Sequence, residues 1–251
     1  MQSTRYPYSP IIERPPLKWP GGARVALWIC PNIECFHIDK PIARGDDSHL
    51  PDIQGYSLRD YGARVGVFRL MDVLDKYGIR ASAVLNTDVC EQYPAIVREG
   101  KKRDWEWLGH GVTNHLRMHD YPEDKEREMI RQVKEMITAA VGKAPKGWLS
   151  PGLAETFCSP DHLAAEGFEY LCDWSCDDQP VPMRVRQGRM VVLPVHSRSA
   201  ILCYSYARIA RRRTTCVLSV ISLTRFTRRA AQTVGSWHCR SIPSSSVCHF
   251  A

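Results

Sequence analysis

Asp104-Trp-Glu-Trp-Leu108, running into Gly109-His110-Gly-Val-Thr-Asn114-His115, is a short apolar run that ends in two imidazoles and a carboxamide. Such a run reads as a buried strand, and polar side chains gathered at its C-terminal end mark the working face of an open α/β sheet or a (β/α) barrel. The unit recurs along the chain. Residues 24–29 (RVALWI) lead into Cys30-Pro31-Asn32-Ile33-Glu34, residues 79–85 lead into Asn86, and residues 146–150 lead into the turn Pro151-Gly152. Residues 168–174 read as a fifth strand and 190–194 as a sixth.

Helical patterns separate these runs. Val67, Leu70, Met71 and Leu74 recur at helical spacing over residues 66–77, with Gly78 as a stop. Thr87 reads as the cap of a short helix reaching about residue 99. Pro122, followed by Glu123, Asp124 and Glu126, opens a longer helix. Met129, Ile130, Val133, Met136, Ile137, Ala140 and Val141 are its expected buried stripe, and Gly142 its end. Ser159-Pro160-Asp161 begins another helix, stopped by Gly167. Residues 36–60, with His37, Asp39, Asp46, Asp47 and Asp52 and little periodicity, read as a long loop over the working face. Strand alternating with helix predicts an α/β fold with right-handed parallel crossovers.

The 251 residues suffice for one large barrel. Residues 1–23, with five prolines, are expected as an extended N-terminal arm and 24–196 as the barrel. Residues 197–251 follow other compositional rules. The first 178 residues hold all 27 acids against 22 Lys and Arg, a balance of −5, whereas the last 73 hold 12 Arg and no acid, which makes the whole chain +7. A basic nucleic-acid-binding arm, an unusual barrel half and an out-of-frame translation compete to explain this, and the last is preferred because it yields Arg/Ser/Cys-rich, acid-free sequence. The barrel is therefore expected to be incomplete at its C-terminus. The ten cysteines form no C-x-x-C pair, which favours free thiols over disulfides or a redox motif. No apolar run approaches the roughly 18 residues of a membrane span, and no signal peptide is evident, so a soluble, cytoplasmic protein with no membrane or nucleic-acid partner is expected.

The polar residues at the strand ends are Asn32, Glu34, His110, Asn114, His115, Ser150, Asp173, Asp177 and Asp178. A carboxylate and two imidazoles could hold a zinc-like ion with one position left for water, which suits hydrolysis of an amide. The order Asn32-x-Glu34, Gly109-His110-Gly-x-Thr-Asn114, Gly147-Trp-Leu-Ser-Pro151-Gly152-x-x-Glu155-Thr156 and Tyr170-x-x-Asp173-Trp174-x-x-Asp177-Asp178-Gln179-Pro180 resembles the polysaccharide deacetylase superfamily. Within it, the resemblance is closer to the branch similar to bacterial allantoinases, and it covers about residues 8–196.

The resemblance implies a distorted (β/α) barrel that hydrolyses carbon–nitrogen bonds outside peptides. Asn32 stands where sugar deacetylases carry the aspartate base, Glu34 at a metal-binding aspartate, His110 at the first metal histidine and Asn114 at the second. Asn32, Glu34, His110 and Asn114 are the expected catalytic residues, and Glu34, His110 and His115 the expected ligands of a divalent, zinc-like metal. Trp148, Pro151, Gly152, Glu155 and Asp177 are expected to line the substrate groove, whose usual arginine is absent. An Asn accepts no proton and is a poor zinc ligand, which favours a small linear or cyclic amide or ureide over an amino sugar of peptidoglycan or chitooligosaccharide. The family's late Leu-His-Pro motif, source of a general acid, is not found; His196, His238 and His249 stand in other contexts. A non-catalytic binding barrel follows if base and acid are both lost, and a homo-oligomer stays open.

Overall fold

The structure is a computed structural model and describes residues 3–23, 26–42 and 50–195. It is organised on one sheet of seven strands: β1 (Asn32–Ile33), β2 (Ser82–Leu85), β3 (Glu106–Gly109), β4 (Gly147–Trp148), β5 (Tyr170–Leu171), β6 (Val181–Met183) and β7 (Met190–Val192). Their order is β1-β2-β3-β4-β5-β7-β6. All pairings are parallel except β6 with β7. Five strands side by side in chain order, each reached by a helical crossover, give the winding of a (β/α) barrel, as the sequence predicts. Among the described residues the sheet is not closed, and β1 and β6 are its edges.

The first strand pairs later than its apolar run. Backbone bonds from Ser82, Val84 and Asn86 reach Ile29, Pro31 and Ile33, so the ladder lies over residues 29–33 and delivers Glu34 directly to the strand end. β6 was not foreseen in the sequence, because Pro182 argues against an interior strand. An edge strand tolerates a proline whose missing N–H would have had no partner.

The helices also depart from expectation in two places. α1 (Ile53–Tyr61) occupies part of the stretch read as a loop, and it continues through a π turn at Gly62–Gly66 into α2 (Val67–Lys76). Only Gly55 of α1 is buried, so the helix shows no apolar stripe; Asp52 starts it by accepting the Gly55 N–H at 2.7 Å. The single helix expected after Thr87 is two, α3 (Asp88–Gln92) and α4 (Pro94–Lys102). Tyr93 between them lies at φ −133°, because the residue before a proline is pushed out of the helical region. α5 (Glu123–Val141) and α6 (Ser159–Ala165) complete the set.

Along β2 and β3 alternate side chains point to opposite faces. Val84 and Leu108 join Leu149 and Cys172 in a small cluster on one face, while Ala83, Leu85 and Trp107 join the larger helix-covered core on the other. α5 contributes Met129, Ile130, Val133, Ile137 and Val141 to that core; Met136 lies at the margin of the stripe and is exposed, contrary to expectation. The stripe also buries Glu126, which accepts from Thr156 at 2.8 Å and from Ser159, tying α5 to the start of α6.

The N-terminal residues run across the outer side of the late strands. Arg5 grips Asp161 with two bonds of 2.9 Å, its carbonyl accepts the Arg184 N–H at 2.7 Å, and Tyr6 sets its ring edge-on to Trp174 at 5.7 Å. The expectations placed on Asp46, Asp47 and residues 196–251 lie outside the described residues.

Candidate active site

Asn86, fully buried at the end of β2, fastens the two neighbouring strand ends together. Its Oδ1 accepts the Cys35 N–H at 2.9 Å, and its amide donates to the His110 carbonyl. From the other side Thr113 donates its hydroxyl to the Cys35 carbonyl at 3.0 Å, and the Asn114 N–H donates to the same oxygen at 3.1 Å. Glu34 and the loop after β3 are thereby held against one another. Asn86 stood at a strand end in the sequence, yet its positioning role was missed, because nothing in one chain's pattern says which side chain bridges two strands.

His110 is 2% exposed, and its Nδ1 lies 2.5 Å from the Leu149 carbonyl. A carbonyl only accepts, so Nδ1 carries the proton and Nε2 is the free face of the ring. Nε2 stands 3.4 Å from Glu34 Oε1, with no hydrogen bond of its own. Asn32 donates its amide to the same carboxylate oxygen at 3.2 Å. Burial pushes the Glu34 carboxyl up, but His110 in its charged form, the Asn32 amide and the Arg59 charge together outweigh it and lower the group below its usual range. Glu34 is therefore an ionised acceptor at neutral pH. Asn114, whose N–H is bonded to the Cys35 carbonyl, has a buried Oδ1 that accepts no hydrogen bond.

Behind His110 lies a second acidic pair. Asp173, partly buried, accepts the Ser150 N–H at 2.7 Å through Oδ1, and Glu155 accepts the Trp174 indole N–H at 2.7 Å through Oε1. The remaining oxygens, Glu155 Oε2 and Asp173 Oδ2, are buried with no donor. Burial and the Asp173 charge push Glu155 up to about 9, and burial raises Asp173 as well. Two facing carboxyls in a dry site cannot both ionise, so the pair shares one proton and carries one negative charge, which acts on His110. The sequence placed Glu155 in the substrate groove; in the structure it is partly buried and interacts with Asp173.

Other expected site residues sit elsewhere. His115 does not turn toward Glu34 and His110: its Nε2 accepts the His37 N–H at 2.7 Å, and its ring packs edge-on against Phe36 and His37. Burial and the neighbouring His37 hold its pKa below the usual value. Trp148 is fully buried, edge-on to Phe168 and donating to Ser150 at 3.0 Å, so it supports the site from beneath and lines no groove. Pro151 is buried under Gly111, and Gly152 stands at φ +65° with the Arg117 guanidinium beside it. That arginine, remote in sequence from the turn, was not singled out. Asp177 is gripped by Arg14 at 2.7 Å and also accepts the Asp178 N–H.

A catalytic zinc takes three protein ligands and leaves one position for water. Among the described residues no third His, Cys, Asp or Glu joins Glu34 and His110 with all ligand atoms within 4.8 Å of one another. The expected trio with His115 is thus not assembled, and the residues present do not complete a resident metal centre at this place. What Glu34, His110 and the pair behind them do form is a chain of neighbouring titratable side chains.

Comparison with known proteins gives three kinds of finding. A polysaccharide deacetylase family model matches residues 56–170, a span that includes His110 and Asn114 and begins after Glu34. Curated proteins yield no match. Among solved structures, a Pseudomonas aeruginosa PAO1 protein described as a "probable Polysaccharide deacetylase" is 19% identical, with 90% of this chain and 81% of that one covered at a TM-score of 0.75. The Puue allantoinase is 21% identical, with coverages of 90% and 80% and a TM-score of 0.74. A Mycobacterium smegmatis protein described as a "putative polysaccharide deacetylase" is 22% identical, with coverages of 86% and 77% and a TM-score of 0.72. At these identities the likeness is one of fold.

Proposed function

We propose that the chain hydrolyses a carbon–nitrogen bond other than a peptide bond, in a small linear or cyclic amide or ureide, a reading supported by the match of a polysaccharide deacetylase family model to residues 56–170. One observation carries this reading: a buried His110, its Nδ1 fixed on Leu149, presents Nε2 to an ionised Glu34. Glu34 takes a proton from water as the water oxygen attacks the carbonyl carbon. His110 Nε2 then accepts that proton and delivers it to the departing nitrogen, and the C–N bond breaks. The single charge shared by Glu155 and Asp173 stabilises the imidazolium while it exists, in the manner of an acid behind a catalytic histidine.

Asn32 cannot accept a proton, so its task is to orient the Glu34 carboxylate. The open Asn114 Oδ1 supports an amide or ureide over an ester, because such a substrate brings N–H donors and a buried unpaired acceptor rejects ligands without one. The reading is tested by incubating the full chain with allantoin and with an N-acetylglucosamine oligomer and following ring opening and acetate release. Ring opening that disappears in His110→Ala is the expected result. Acetate release alone would make the protein a sugar deacetylase, and binding without turnover of either would make it a non-catalytic barrel.

A further inference from the structure

Although Glu34 and His110 lack a third ligand, a complete three-ligand set stands next to them. Beyond β1 the chain places Glu34 and Phe36 toward Arg59, whose guanidinium lies 4.7 Å above the Phe36 ring and whose charge acts on Glu34. Cys35 and His37, the alternate residues, meet Asp88 at the start of α3, and one ligand atom from each of the three lies within 4.8 Å of the others. His37 Nε2 and Asp88 Oδ2 are already 2.8 Å apart. We propose that Cys35, His37 and Asp88 form a binding site for a divalent ion of zinc-like preference, separate from the Glu34–His110 pair.

The chemistry of the set selects the ion. A thiolate beside an imidazole and a carboxylate suits a borderline-soft ion and disfavours magnesium or calcium, which take oxygen ligands. Bonds of about 2.0–2.3 Å to a tetrahedral zinc place ligand atoms about 3.3–3.6 Å apart. The three atoms lie within 4.8 Å of one another, with His37 Nε2 and Asp88 Oδ2 at 2.8 Å, so an ion would have to draw in the thiol and part the other two slightly. His37 and Asp88 are partly exposed and free to adjust, whereas Cys35 is fully buried and held by the Asn86, Thr113 and Asn114 bonds to its backbone. On binding, the thiol gives its proton to solvent and a metal–sulfur bond forms. The His37 backbone N–H donates to His115 Nε2 at 2.7 Å, which fixes the main chain at this ligand.

Cobalt(II) titrated into the full chain reads the site directly, because a cysteine thiolate bound to cobalt gives a charge-transfer band in the near ultraviolet, with strong visible bands when the ion is tetrahedral. The expected result is a saturable band that is lost in Cys35→Ser and in His37→Gln but retained in Glu34→Gln and in Cys158→Ser. Circular dichroism confirms that each variant is folded, and His37→Gln, at a partly exposed position, carries the test if Cys35→Ser does not fold. Absence of the band in the folded wild-type chain would overturn the proposal, as would a band that survives His37→Gln or disappears in Glu34→Gln.

Discussion

Replacing Glu155 by Gln should flatten the dependence of stability on pH. In the folded chain Glu155 titrates at about 9, against 4.5 for an ordinary glutamate, because it is buried against Asp173. Between those two pH values the folded state holds a proton that the unfolded state has released. Stability is therefore fully present below about pH 4.5 and is lost as pH rises toward 9, at about 1.4 kcal/mol per pH unit. From pH 5 to pH 8 the wild-type chain should lose about 4 kcal/mol through this pair alone, an order-of-magnitude figure for coupled groups. A Gln supplies its own N–H to Asp173 Oδ2 and needs no shared proton. Urea unfolding of both proteins at pH 5, 6, 7 and 8 measures the difference free of every other titrating group. The variant should be near wild type at pH 5 and clearly more stable at pH 8. Parallel stability curves across that range would refute the shared-proton pair, and with it the charge placed behind His110.

Further outcomes follow from the geometry around the pair. His110→Ala should lower kcat/KM by about 10²- to 10⁴-fold, read by steady-state kinetics on a turned-over amide or ureide. The loss should be accompanied by mild destabilisation, since the Leu149 carbonyl loses its donor. Gly109→Ala would bring a Cβ to 2.4 Å from Trp148, a fully buried ring, and should cost about 1–3 kcal/mol of stability in denaturant titration. Ile130→Ala, at a fully buried position of α5, should cost about 2–5 kcal/mol in the same assay.

Much of the architecture is legible because strand and helix write different periods. Strands in the interior of the sheet are short apolar runs, and α5 carries a stripe with a Gly142 stop that the structure places at φ +83°. What is not legible depends on context outside the element. α1 has almost no buried residue, so its helix leaves no stripe to read. β6 is three residues long and holds Pro182, which only an edge strand can accommodate. In the site, the meeting of Glu34 and His110 follows from adjacent parallel strand ends. The direction of His115 does not, because it lies in the irregular stretch after β3, where neither period applies. Trp148 was misread for a related reason: a motif says which residues are neighbours in the chain, and only packing says which of them reaches solvent.

Alternation at one strand end explains why two constellations, one acidic and one thiol-bearing, stand so close together. β1 hands over Glu34, Cys35, Phe36 and His37 in succession, and successive side chains leave an extended chain on opposite sides. Glu34 goes to His110, whose Nε2 waits for a proton; Cys35 and His37 go to Asp88. Asn86 locks the Cys35 N–H to one side and the His110 carbonyl to the other, so both constellations depend on the same fully buried amide. A one-residue slip of β1 against β2 would exchange the two sides and break both at once. Asn86→Leu, which removes the donor and the acceptor together, should therefore abolish hydrolysis and the cobalt band in parallel. A variant that stays folded and loses only one of the two would show that the strand ends are held apart by something other than this bridge.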